Sequence, residues 1–244
     1  MDNQPQSIRL NKFLAERLGV SRREADELIA AGKVFIDEKP AILGARIDKN
    51  NKVCYNKKII PFEADYSYIA FNKPVGYVCS RRAQGGTPTL YELLPKEYQK
   101  LKTVGRLDKD SSGLILLTND GDFAYQMTHP KFHKEKVYEV TLDRPIEPLH
   151  QQMISDYGVM LDDGLSKFTV IKDELATPLS AGSAERTHFT VILAEGRNRQ
   201  IRRTFAALGY RVTALHRVQF GKYQLSGLKP GKYVTIKAWT LFWR

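Results

Sequence analysis

Apolar residues recur along this chain in two periods, and the switches between them outline its elements. Leu10, Phe13, Leu14 and Leu18 stand three and four apart, which sets them on one face of a helix that Gly19 ends. Ser21-Arg22-Arg23-Glu24 has the spacing of a capping box, so a second helix starts there and buries Ala25, Leu28 and Ile29 until Gly32. Lys33 to Asp37 then alternates like a short strand, and Glu38-Lys39-Pro40 turns it. Pro61 to Tyr66 reads as a linker. A strand follows from Tyr68 to Phe71, with Asn72-Lys73-Pro74-Val75-Gly76 as the turn behind it. Leu90, Leu93 and Leu94 suggest a short helix, and the aliphatic run Leu114 to Leu117 a buried strand.

The second half continues in the same manner. Asn119-Asp120-Gly121 turns the chain into a helix carrying Phe123 and Met127. Lys136 to Leu142 and His188 to Leu193 alternate as strands. Residues 145 to 187 read as a helix, a hairpin turning at Asp162-Asp163-Gly164, a strand, and a polar loop from Glu174 to Arg186, with no chemistry attached to any of them. Asn198 is placed to cap a last helix whose apolar face is Ile201, Phe205 and Leu208, closed by Gly209.

A chain of 244 residues is long enough for one large domain or two smaller ones, each with its own core. The charge changes the picture more. A net charge of +11 and a pI near 9.5 point to a polyanionic partner, nucleic acid before membrane. Cys54 and Cys79 are the only cysteines and form no CxxC pair, so neither a zinc ribbon nor a disulfide framework is expected and both read as reduced cytosolic thiols. No signal-peptide pattern opens the chain and no 18-residue apolar run occurs, so a cytoplasmic protein is expected.

Four stretches carry candidate chemistry. In Gly105-Arg106-Leu107-Asp108-Lys109-Asp110-Ser111-Ser112-Gly113, a polar loop feeds the apolar run, and Asp108 has cations on one side and a second carboxylate on the other. Such a loop on a rigid strand either presents a reactive carboxylate or is a charged turn whose Asp and Ser side chains satisfy local amides. Arg22 and Arg23 sit in the first turn of their helix, where the dipole disfavours cations; amides and guanidinium groups there suit a phosphate, and Arg9, Lys12 and Lys33 extend the patch. The other reading is a solvated charged face. Glu195 to Arg203 holds four arginines in seven residues, and Arg199, Arg202 and Arg203 are neighbours at helical spacing or a surface charge cluster. His129 and His133 stand four apart as a metal pair would, but Pro130 argues against a regular helix and no third ligand is evident.

Gly-Arg-Leu-Asp with Ser112 to Gly121 behind it resembles the central motif of the RsuA-like pseudouridine synthases. The Lys73-Pro74-Val75-Gly76 turn, the Lys136-Val137-Tyr138 segment, Gln200-Ile201-Arg202-Arg203 and Leu215-His216-Arg217 resemble further motifs in the family's order. Ile8 to about Ile60 closely resembles the S4 RNA-binding module. The resemblance implies an α+β chain: an S4 domain over 1–62 and a catalytic domain over 67–244 on a mixed, largely antiparallel sheet. It implies isomerisation of a uridine in ribosomal RNA, free or in a pre-ribosomal particle, by a monomer without cofactor or metal. Asp108 falls on the catalytic aspartate, Tyr138 on the tyrosine that stacks on the uracil, and Arg202 on the arginine that pairs with the aspartate. Lys73, Arg106, Arg199 and Arg203 are expected to bind substrate, and Arg9, Lys12, Arg22, Arg23 and Lys33 to bind RNA through the S4 module. Trp239 to Arg244 departs from the family's usual charged tail. An S4 adaptor would need no Asp108, and an S4-linked methyltransferase would need a GxGxxG-like loop that is missing here. Motif variants mix features of small-subunit and large-subunit enzymes, so the target uridine stays open.

Overall fold

The computed structural model describes residues 7–63, 65–81, 83, 85–172 and 187–238; the Glu174 to Arg186 loop and the Trp239 to Arg244 tail fall outside them. The chain forms two compact units, one up to Ser67 together with Asn119–Gly121, the other Tyr68–Thr118 and the chain from Asp122 onward.

The first unit holds β1 (Ile8–Arg9), α1 (Leu10–Arg17), α2 (Arg22–Ala30), β2 (Val34–Ile36), β3 (Lys39–Pro40), β4 (Arg46–Ile47), β5 (Val53–Tyr55) and β6 (Lys58–Ile60). The helices form where the apolar spacing predicts them, because Leu10, Phe13, Leu14, Ala25 and Ile29 close over Val34 and Val53 in one core. The capping box is complete: the Glu24 amide donates to Ser21 Oγ at 3.1 Å, and the Ser21 amide to Glu24 Oε2 at 2.6 Å. One boundary moves. The turn is made by Asp37 and Glu38, both at positive φ, and Lys39-Pro40 already belongs to the returning strand. Proline is tolerated there because β3 is an edge of the antiparallel order β3-β2-β5-β6.

The second unit is built on β7 (Tyr68–Lys73), β8 (Lys102–Val104), β9 (Ser112–Thr118), α3 (Gly121–Thr128), β10 (Lys136–Leu142), α4 (Pro148–Gln152), β11 (Val159–Leu161), β12 (Gly164–Ser166), β13 (Thr169–Lys172), β14 (His188–Leu193), α5 (Gln200–Ala207), β15 (Val212–Phe220), β16 (Tyr223–Gln224) and β17 (Tyr233–Thr235). Among the described residues one sheet runs β13-β14-β10-β15-β9-β7-β17, with β16 on β15 and β8 on β9. Its pairs are antiparallel except β15 with β9. The sheet is mixed and largely antiparallel, as the resemblance implies.

Strand β9 is an unbroken apolar run because both of its faces are covered. Ile115 and Leu117 pack into a core with Ile69, Phe71 and Phe205, while Leu114 and Leu116 pack into a second core with Phe123, Met127 and Phe220. The parallel pair sets Gly113 of β9 beside Arg217 of β15, and Arg217 in turn lies opposite Tyr138 of β10. Only glycine fits in that row. Its φ is +106°, and a Cβ there would stand 2.3 Å from the Arg217 carbonyl oxygen and 2.5 Å from its amide nitrogen.

Gly113→Ala is therefore expected to lower unfolding stability by more than about 2 kcal/mol, through a disallowed φ and a backbone collision. The urea midpoint measures it; a shift within error of zero would mean that the strands part freely here.

Candidate active site

The loop between β8 and β9 is held from below by the turn that follows β7. Lys73, the last residue of β7, is fully buried, and its ammonium donates to the carbonyls of Pro74 (3.0 Å), Asp108 (3.0 Å) and Ser111 (2.6 Å). Burial lowers its pKa, with the Asp108 and Asp110 carboxylates among the groups that oppose the shift. The Gly76 amide donates to Lys109 O at 2.7 Å, and the Cys79 thiol bridges both the amide and the carbonyl of Leu107. Burial pushes that thiol up, which keeps it a hydrogen-bonding group rather than a thiolate. Leu107 is buried, so the loop is anchored on an apolar peg and its carboxylates stand above it.

Above the loop, the start of α5 supplies arginines. Arg199 takes the N-cap position with φ +45°, a left-handed conformation uncommon outside glycine. Its guanidinium makes a two-pronged contact with Asp110, both bonds at 2.9 Å, and lies 3.6 Å from Asp108 Oδ2. That contact holds the Asp110 carboxyl below the usual carboxylate range. Arg202 donates to Asp110 O and Val212 O, both at 2.8 Å, and its Nε is 3.4 Å from Asp110 Oδ2.

Several expectations change here. Arg202, expected to pair with Asp108, is engaged by Asp110, and Arg199 is the arginine beside Asp108. Lys73, expected to bind substrate, is sealed beneath the loop and has no exposed surface with which to do so. Arg203, also expected to bind substrate, turns the other way and pairs with Asp162 and Asp163 at the tip of the β11–β12 hairpin. Arg197 joins it there, donating to Asp163 Oδ1 at 2.9 Å and to the carbonyls of Gly164 and Leu165. Asn198 does not cap α5, because the chain passes through Arg199 first. Of the four arginines in this run, two hold a hairpin and two face the carboxylates. Helical spacing alone does not separate the pairs.

A cavity of about 380 Å3 opens beside this loop, bordered by Arg106, Asp108, Lys136, Tyr138, Arg199 and Arg217. Arg106 is exposed at its edge. Tyr138 is 8% exposed, with its hydroxyl 3.4 Å from Arg217 Nη1. Lys136 lies two residues earlier on the same strand, and so on the same face, and donates to Glu195 O at 3.1 Å. Burial and the nearby Arg217 bring its ammonium down to about 8. His129 and His133 flank a single short turn, Pro130–Phe132, rather than sharing a helix face, and His129 Nδ1 accepts from the Lys131 amide. In the first unit Arg9, Arg22, Arg23 and Lys33 are exposed and Lys12 is half-buried; the Arg22 and Arg23 side chains leave the first turn of α2, as expected.

Comparison with known proteins gives this geometry its family. The model of RNA pseudouridylate synthases matches residues 67–207, and that of the S4 domain matches residues 8–53. The chain belongs to the RNA pseudouridylate synthase family. It is 34% identical to "Ribosomal small subunit pseudouridine synthase A" of Pasteurella multocida, over 95% of this chain and 97% of that one. It is also 34% identical to "Ribosomal large subunit pseudouridine synthase B" of Pseudomonas aeruginosa, over 94% of this chain and 59% of that one. A solved pseudouridylate synthase, 30% identical, superposes over 94% of this chain and 96% of its own with a TM-score of 0.64.

Lys136 and Arg217, both on the cavity wall, are not among the site residues expected from the sequence. The signals were present. Lys136 and Tyr138 share a strand face by period two, and Arg217 stands two residues after the buried Leu215, a charged residue at an inward position.

The buried Lys73 yields a test that separates a structural from a ligand-binding role. Lys73→Met leaves three carbonyls without their charged donor, and unfolding stability is expected to fall by about 2–4 kcal/mol. RNA affinity measured under folding conditions should stay near that of the wild type. A variant of unchanged stability with weakened RNA binding would return Lys73 to the substrate side.

Proposed function

We propose that this synthase converts a uridine of ribosomal RNA to pseudouridine, with Asp108 as the catalytic carboxylate. The observation that carries the reading is the carboxylate of Asp108, backed by a pinned loop, opening on the same cavity as Tyr138. The relatives named above, ribosomal by name and similar along nearly the whole chain, support the choice of RNA. The reaction must break the N1–C1′ bond, turn the base and join C5 to C1′. It needs a carboxylate near C1′, as nucleophile or as base on the sugar. Tyr138 would hold the base by stacking and assist loss of the C5 proton. Arg199 and Arg202 would act together, through Asp110, to hold the loop in register, and Arg106 would meet the backbone of the target nucleotide.

A cavity of this size lies within the range of small-ligand sites, about 300–1,000 Å3, and admits one nucleotide rather than a duplex. The uridine would therefore leave its stack, at a cost of about a few kcal/mol that phosphate contacts offset. We assign those contacts chiefly to residues 1–62, through Arg9, Lys12, Arg22, Arg23 and Lys33, with residues 67–244 as the catalytic domain.

Replacing Arg22 and Arg23 together by Glu is expected to weaken rRNA binding and to flatten the slope of log K against log[salt] by about one to two. An unchanged slope would remove these arginines from the interface.

Asp108→Asn keeps the shape of the side chain and removes its charge. Pseudouridine formation is expected to fall by at least about a thousandfold, on the order of 4 kcal/mol in the barrier, with RNA affinity little changed. Asp110→Asn, which disturbs only the positioning of the loop, should lose about tenfold. Release of tritium from C5-labelled uridine in rRNA follows the bond that must break. Wild-type release by Asp108→Asn would show that the carboxylate has been wrongly assigned.

A further inference from the structure

Arg217 is 2% exposed, the bulkiest of the fully buried side chains among the described residues, and it forms part of the wall of the Asp108 cavity. Its Nε donates to Leu114 O at 2.7 Å, Nη1 reaches the Tyr138 hydroxyl only at 3.4 Å, and the buried Nη2 has no partner. The guanidinium lies 4.9 Å from the Phe220 ring centroid and 5.9 Å from that of Tyr138. Lys136 brings a second cation to the same wall, 5.3 Å from the Phe220 centroid. A guanidinium cannot shed its proton, and burying one with donors unsatisfied is costly unless a ligand completes it. The strands are also shaped for this side chain. Gly113, with no Cβ, lets the Arg217 backbone close on β9, and the register puts Arg217 directly opposite Tyr138.

We propose that Arg217, with Lys136 beside it, forms the subsite that receives the base, donating to a uracil carbonyl oxygen and taking up the negative charge that arrives when the N1–C1′ bond breaks. The inference rests on the synthase reading. In that step the electron pair of the N1–C1′ bond leaves with N1, so the base departs as the uracil anion with its charge spread over N1, O2 and O4. The sugar is left either joined at C1′ to the Asp108 carboxylate or short of a C2′ proton that Asp108 has taken. C5 of the turned base then supplies the electron pair for the new bond to C1′, and Asp108 leaves or returns its proton. N1 is protonated, C5 loses its proton, and the product has the atoms of the starting material. Stacking on Tyr138 holds the freed base in place. The cations of the wall hold its charge, which stacking alone does not.

The test uses rRNA transcripts carrying uridine or 5-fluorouridine at the position that the wild-type enzyme modifies, with the full-length chain, under single-turnover conditions. The readout is disappearance of the N-linked nucleoside. Fluorine withdraws charge from the departing base and so does part of the work assigned to Arg217. Arg217→Met is expected to lose at least about a hundredfold on uridine, as when one donor to a developing anion is removed, and no more than about tenfold on 5-fluorouridine. RNA affinity and its salt slope should match the wild type. Arg217→Lys, which keeps the charge without the fork, should show a smaller loss that shrinks in the same way, and it decides the matter if Arg217→Met melts below the assay temperature. Equal losses on the two bases would reduce Arg217 to a prop for Tyr138. Weakened RNA binding with a slope flattened by about one would make it a phosphate contact instead. Either result overturns the proposal, as does wild-type turnover in both variants. If Asp108→Asn is dead while the Arg217 variants run normally, only the subsite is lost. A wild-type enzyme that modifies no uridine of ribosomal RNA would remove the synthase reading along with it.

Discussion

The geometry of the site depends on one buried ammonium. Lys73 sits at zero exposure beneath the Asp108 loop and ties three carbonyls to the end of β7. Burying a charge costs several kcal/mol unless hydrogen bonds replace its water. Here each bond goes to backbone that would otherwise be free to move. A polar loop rich in Asp, Ser and Gly has many local conformations open to it. The lysine removes most of them, which leaves Asp108 on a fixed perch with a third of its side chain exposed.

The arginines above the loop then divide their work. Arg199 and Arg202 converge on Asp110, and Arg197 and Arg203 on the β11–β12 hairpin. Helix α5 therefore links the hairpin to the carboxylate loop through its polar side. Its apolar side, Ile201 and Phe205, seats it on the sheet. Between them Gln200 donates to Ser166 Oγ at 3.1 Å, and Ser166 and Thr204 share a bond of 2.7 Å, a buried polar network with its members satisfied. Asp110 is half-exposed, so its ion pairs serve more to position the loop than to stabilise the fold.

Beyond the carboxylates the cavity wall turns cationic. Lys136 and Arg217 stand near each other, and burial together with Arg217 brings the Lys136 ammonium down to about 8, with Glu195 the acidic group acting the other way. A pocket that gathers positive charge in a low-dielectric setting is suited to charge that develops during reaction rather than charge carried in. The surface cations of the first unit meet solvent instead, where a phosphate can displace counterions.

Much of this was legible in the amino-acid order. The two helices of the first unit, the doubly covered β9 and the hairpin turn at Asp162-Asp163-Gly164 follow from spacing and turn chemistry, which act within a few residues. Asp108 stood out because its loop, its glycines and the apolar run behind it are contiguous. What the order did not decide is which partner each long cation chooses. Lys73 is followed by a turn and was expected to bind substrate, yet the fold closes over it; Arg202 and Arg203 are adjacent, yet they face opposite ways. Those outcomes depend on contacts between residues 35 to 92 positions apart, whose pairing is set only when β7, β9 and α5 pack together. A motif determines which functional groups are available. Register and burial determine which of them meet: the Arg217–Tyr138 pair exists because β10, β15 and β9 align at Gly113, a distance relation that no local pattern encodes.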